Sequence, residues 1–154
     1  MTRSIYIFGL ILLLSACTNE EENLVIIDPA LQTYVYRFID EGAERNVDVD
    51  FTLEGITIEI ENIETNGVPG QCQSYDGGAN ILLIDPQFWS AYSEVKKELL
   101  LFHELGHCYL GLAHDDNKDE NGNCLSIMHS SSSVCEIDFS GENREQLLDE
   151  LFEK

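Results

Sequence analysis

Residues 103 to 114 read His-Glu-Leu-Gly-His-Cys-Tyr-Leu-Gly-Leu-Ala-His, and no other stretch of the 154-residue chain restricts its fold so much. His103 and His107 stand four apart, so a helix puts both rings on one face, within reach of one ion. A helix continued in the same direction would carry His114 away from them. Gly111 supplies the remedy, because glycine tolerates positive φ and lets the chain reverse. The spacing therefore predicts a helix through His107 that ends near Leu110, then a turn that brings His114 back. All four histidines of the chain lie between residues 103 and 129.

Neutral imidazole nitrogen is a favoured ligand for zinc, and reactive zinc sites keep three protein ligands with a fourth position for water. His103, His107 and His114 fit that set for one Zn2+ ion. Glu104 follows the first ligand directly; it can reach the open side of the site and accept a proton from a water activated there. A buried helix that merely contains His and Glu would not require Gly111 or a third histidine. Spacing alone thus argues for a hydrolytic zinc centre, with Glu104 as general base. A glutamate of the last helix, Glu142 or Glu145, is the alternative third ligand.

The remaining pattern is α+β. Asp28 and Pro29 make a cap-plus-proline start, and Leu31, Val35, Phe38 and Ile39 follow at helical spacing to about Arg45-Asn46. Val47, Val49, Phe51 and Leu53 alternate, as do Ile56, Ile58 and Ile60, which predicts one or two strands with a register shift at Gly55. Asn66-Gly67 and Pro69-Gly70 mark a loop. Gln71 to Tyr75 and Asn80 to Ile84 read as short strands around an Asp76-Gly77-Gly78 turn. Asp85-Pro86 opens a helical stretch, broken near Ser93, whose buried side takes Val95, Leu99, Phe102, Leu105 and Gly106. Trp89 reads as core. A last amphipathic helix uses Leu147, Leu148, Leu151 and Phe152.

The ends and the charge speak to location. Residues 1–16 read as a secretory signal: Arg3 precedes an apolar run, Ile5 to Leu14, that is too short to span a bilayer. Leu14-Ser15-Ala16-Cys17 resembles the bacterial lipobox, which implies cleavage before Cys17 and lipid on its thiol; an ordinary signal peptide is the alternative. Residues 17–27 would then be an acidic tether, and residues 28–154 the catalytic domain. The expected location is extracytoplasmic, anchored to a bacterial outer membrane through lipid at Cys17. The acidic run behind that cysteine is compatible with cell-surface display or with a plain solvated linker. A net charge of −21 argues against a nucleic-acid partner. Cys72, Cys108, Cys124 and Cys135 remain, an even number that suggests two disulfides; Cys72–Cys108 and Cys124–Cys135 are the favoured pairing.

The 103–114 stretch, with Ser126-Ile127-Met128-His129 after it, resembles the metzincin metallopeptidases, whose signature HExxHxxGxxH is followed by a methionine-containing turn. The resemblance implies a small metallopeptidase domain with a mixed sheet, an antiparallel edge strand, an active-site helix and a C-terminal helix. It also implies Met128 beneath the metal, hydrolysis of peptide bonds in a peptide or protein substrate, and substrate pairing along an edge strand, here Gln71 to Tyr75. Two departures stand out. One extra residue lies between His107 and Gly111, so either the helix runs on or the turn is wider. No tyrosine follows Met128 by two residues, so no tyrosine ligand is expected.

Weaker signals surround the site. Asp115 could orient a ligand by hydrogen bonding, or cap the next turn. Residues 115–123 are rich in oxygen ligands, but Glu120 stands where a calcium loop needs glycine, so a hydrated surface loop is the preferred reading over a calcium site. His129 reads as a plain surface residue, with a place on the rim near the substrate as the alternative. The contrasting overall reading is a lipid-anchored binding module with a structural or inactive zinc site.

Overall fold

The computed structural model describes residues 25–75, 80–131 and 137–153. The expected signal, the expected lipidation site Cys17, most of the expected acidic tether and the Asp76-Gly77-Gly78 turn lie outside them, as does Cys135, one end of the second expected disulfide.

A four-stranded mixed sheet has the order β1-β2-β4-β3, and isoleucine recurs in three of its strands. Strands β1 (Ile26–Ile27) and β2 (Thr57–Ile60) run parallel, as do β2 and β4 (Ile81–Ile84). Strand β3 (Gly70–Gln73) pairs antiparallel with β4, with Gly70 opposite Ile84 and Gln73 opposite Ile81. Ile58, Leu82 and Ile84 are fully buried on the helix-covered face.

Helix α1 (Gln32–Glu44) starts later than Asp28-Pro29 suggested. Asp28 instead closes a preceding turn: its side chain accepts from the N–H of Ala30, and its carbonyl from that of Leu31. The strand β1 just before it was not anticipated, because two residues are too few to show a period. The first alternating set also misleads. Asp50 accepts the N–H of Thr52 and caps a one-turn helix, α2 (Phe51–Glu54), so local capping outweighs the period-two pattern there. The second set does form a strand, β2.

Asp85 caps α3 (Pro86–Ala91), and Ser93 caps α4 (Glu94–Cys108), so the expected break falls at Ser93. Asp85 is itself buried and also accepts the N–H of Ile63, which draws the 61–69 loop onto the end of β4. Leu101, Phe102, Leu105 and Gly106 face the interior, but Val95, in the first turn, is 52% exposed. Helix α5 (Gly141–Phe152) buries Leu147, Leu148, Leu151 and Phe152 as expected. Trp89 is also buried.

Phe38 sits where α1, α4 and α5 meet. Its ring lies edge-on to Phe102 at 5.2 Å and tilted against Phe152 at 4.9 Å. Burying such a ring contributes roughly 1.5–3 kcal/mol. The rim of this junction is ionic: buried Glu98 of α4 meets Arg37 of α1 at 2.6 Å and Arg144 of α5 at 2.7 Å, and Glu41 of α1 meets Arg144 at 2.6 Å. No helix among the described residues is long and apolar enough to cross a membrane.

Cys72 of β3 and Cys108, the last residue of α4, form a disulfide across 36 residues of chain. Closing a loop of that size restricts the unfolded chain by about 3–4 kcal/mol. The double variant Cys72→Ala/Cys108→Ala is therefore expected to melt roughly 10 °C below the wild type. Thermal denaturation followed by circular dichroism, with and without reductant, measures this; an unchanged Tm would mean that the tie between β3 and α4 adds nothing.

Candidate metal centre

Helix α4 carries His103 and His107 on successive turns, with Glu104 directly after the first, and its C-terminal end decides where the chain goes next. Tyr109 N–H bonds back to Leu105 O in the ordinary helical way, but Leu110 N–H also reaches Leu105 O, at 3.2 Å, and Leu112 N–H reaches Gly106 O at 2.9 Å. The last turn is thus wider than an α-turn. It takes up the extra residue between His107 and Gly111, so of the two alternatives the wider turn holds. Gly111 follows at φ +68°, a conformation that costs other residues a steric penalty, and the chain reverses there.

The reversal brings three imidazoles together. His107 Nε2 lies 3.2 Å from His103 Nε2 and 3.1 Å from His114 Nε2, and one nitrogen from each ring falls within 4.8 Å of the other two. The other nitrogens of the first two rings fix their tautomers. His103 Nδ1 is 2.8 Å from the carbonyl oxygen of Ile127, and His107 Nδ1 is 2.7 Å from that of Leu112. A carbonyl only accepts, so each ring carries its proton on Nδ1 and presents a bare Nε2 to its neighbours. Two bare lone pairs 3.2 Å apart, those of His103 and His107, repel unless a cation lies between them. Ring protonation is no remedy at His103, because burial, then the bordering histidines, pushes its pKa down to about 4. Burial lowers His114 as well. In a tetrahedral site with zinc–nitrogen bonds of roughly 2.0–2.1 Å, ligand nitrogens stand about 3.3 Å apart. The two separations at His107 fall within a few tenths of an ångström of that value, and the third pair, His103 and His114, lies within 4.8 Å. The three histidines could hold a metal ion, and among the described residues they are the one group of three or more ligand-type side chains whose donor atoms converge.

Glu104 is buried, and that burial raises its pKa to about 7. Its carboxyl group lies against Gly70, the first residue of β3: a Cβ built there would be 2.7 Å from Glu104 Cγ and Oε1 and 2.8 Å from Cδ. Only glycine leaves room for this approach. Pro69-Gly70 had suggested a loop, yet Gly70 opens the strand that runs beside the glutamate.

Met128 is fully buried under α4, packed on Gly106 between the two helical histidines; a methyl group added at Gly106 would overlap its sulfur. Asp115 takes the capping role: its carboxylate accepts from the N–H and side chain of Asn117, while its own N–H donates to Met128 O at 2.9 Å. His129 is not at the surface. It is 6% exposed, its Nδ1 accepts from Ser131 N–H, and its Nε2 is buried without a hydrogen-bond partner among the described residues. In the 115–123 loop, Asp119 is occupied by Asn121 and Asn123. Glu145, an alternative ligand, instead pairs with Arg45 at 2.9 Å and Arg144 at 3.2 Å, and neither it nor Glu142 joins the histidine group.

Sequence reasoning missed the supporting atoms. The carbonyls of Ile127 and Leu112 carry no side-chain signal. Gly70 was visible as a glycine, but nothing local tied it to Glu104. No family model, curated protein or solved structure matches this chain.

Proposed function

We propose that this chain is a zinc-dependent endopeptidase of metzincin kind, acting outside the cytoplasm and held to a bacterial membrane by lipid on Cys17. The observation that carries the reading is the convergence of three imidazole nitrogens, two with their tautomers set by backbone carbonyls, beside a buried glutamate. Further support comes from the return of the chain at Gly111, the burial of Met128 beneath α4, and the antiparallel strand β3 at the sheet edge. The location rests on the signal-like start, the lipobox-like tetrapeptide and the disulfide.

His103, His107 and His114 would hold the ion. A zinc ion there supplies Lewis acidity, polarising a peptide carbonyl and lowering the pKa of a water to about 7. Glu104 accepts the proton released as water attacks and delivers it to the departing amine. The outer edge of β3 offers its backbone groups to an extended peptide, which lies along the strand whose Gly70 touches Glu104. Backbone pairing of this kind suits many sequences and aligns the scissile bond.

Zinc analysis and a mixed peptide library test the reading together. One tightly held zinc per chain, with cleavage lost on chelation and restored by zinc, is the expected result. Zinc without cleavage would favour a binding module, and no zinc would overturn the metal centre itself.

Gly70 gives a sharper check. In Gly70→Ala the added methyl meets Cγ, Cδ and Oε1 of buried Glu104, an overpacking that costs roughly 1–3 kcal/mol. The Glu104 carboxylate must move, and a displacement near 1 Å can cost about 100-fold in rate. Peptide hydrolysis should fall by about that factor with zinc content unchanged and Tm lowered only modestly; full activity in this variant would show that the contact with Glu104 is immaterial.

A further inference from the structure

The ring of His103 is held by a single carbonyl, that of Ile127, and what holds that carbonyl lies in another helix. The Ile127–Met128 peptide is a plane, with its C=O and N–H pointing opposite ways. On one side the C=O accepts from His103 Nδ1 at 2.8 Å. On the other, the Met128 N–H donates to Ser126 Oγ at 3.0 Å. The hydroxyl has one proton, and it goes to Glu150 Oε2 of α5 at 2.9 Å. Ser126 is 1% exposed, so water does not compete for that hydroxyl. The carbonyl of the following residue, Met128, takes the N–H of Asp115, next to His114.

We infer that Glu150 is a positioning residue for the metal centre: through Ser126 it fixes the peptide plane that orients His103, and so α5 sets the geometry of a ligand carried by α4. The Proposed function of the three histidines underlies this step. With the carboxylate removed, the Ser126 hydroxyl is free to rotate, the Met128 N–H loses its fixed acceptor, and the plane can tilt away from His103.

The test measures the zinc dissociation constant of the full chain by chelator competition, together with the Tm of the metal-free protein. Glu150→Leu fills similar volume but cannot accept a hydrogen bond; zinc binding should weaken roughly 10- to 100-fold, the range seen when the partner of a ligating histidine is lost. Glu150→Gln keeps an oxygen acceptor and should restore affinity to near the wild-type value. Ser126→Ala should match Glu150→Leu, and the double variant should be no worse than either, since both cut one chain of bonds. Leu147→Ala loosens the same helix without touching Ser126; it should lower Tm and leave zinc affinity alone. Wild-type affinity in Glu150→Leu and Ser126→Ala would overturn the inference, as would a loss in Leu147→Ala as large as theirs. If the wild-type chain itself binds no zinc, the metal reading falls first and this inference with it.

Discussion

His114→Ala is expected to lower zinc affinity by two to three orders of magnitude while leaving the fold intact. Apparent binding energies of about 10–16 kcal/mol in four-ligand zinc sites correspond to roughly 3 kcal/mol per ligand. His114 is exposed, so its removal opens no cavity, and the metal-free variant should melt with the wild type. The loss falls on the metal because the remaining pair, His103 and His107, is a two-point site on one helix. Isothermal titration with zinc, beside thermal melts of metal-free protein, measures both. Retained affinity would point to a different third ligand. Glu145 is poorly placed for that role, since Arg45 and Arg144 already hold its carboxylate.

Glu104→Gln should abolish most peptide hydrolysis with zinc still bound. The amide has nearly the shape of the carboxylate, so it fits the same space against Gly70. What it cannot do is accept and return a proton. General-base contributions are typically about 10²- to 10⁴-fold, equivalent to roughly 3–5 kcal/mol of barrier. The expected pattern is a fall of that size in kcat, little change in KM, and one zinc per chain in both proteins. A variant that cleaves as well as the wild type would remove Glu104 from the reaction. A fall accompanied by zinc loss would mean that Glu104 supports the ion rather than the proton transfer. This variant also separates an enzyme from a binding module, because a purely structural metal site has no use for that carboxylate.

The two variants probe the part of the protein most legible in its sequence. The 103–107 spacing is a local property of a helix, and Gly111 is a local property of the backbone, so both could be read without knowing the fold. Helices α4 and α5 and the strands β2 and β4 were likewise visible, since each has an apolar period or a cap within its own residues, and β3 was read from the Asp76-Gly77-Gly78 turn signal beyond it. Two of the misreadings share one cause: short-range competition between patterns. At Phe51 the alternation of Val47, Val49 and Phe51 competed with the Asp50 cap, and the cap prevailed. At Asp28-Pro29 the helix-start signal closed a turn instead, and α1 began at Gln32. His129 looked like a surface residue because nothing near it in sequence announces the burial it meets.

The sequence by itself determined which residues are candidates for the site: three histidines, the adjacent glutamate and the glycine that turns the chain, because their spacing and chemistry are local; the Cys72–Cys108 pairing, one of three connectivities open to four cysteines, was decided by the fold. Only the tertiary structure decided how those groups are held. The Ile127 and Leu112 carbonyls that set two imidazole tautomers, the Gly70 backbone pressed on Glu104, and the Glu150 carboxylate behind Ser126 all arrive from distant or featureless positions. Backbone atoms carry no residue-specific mark, and contacts between α5, β3 and α4 form only when the chain packs, so no pattern along the sequence could record them.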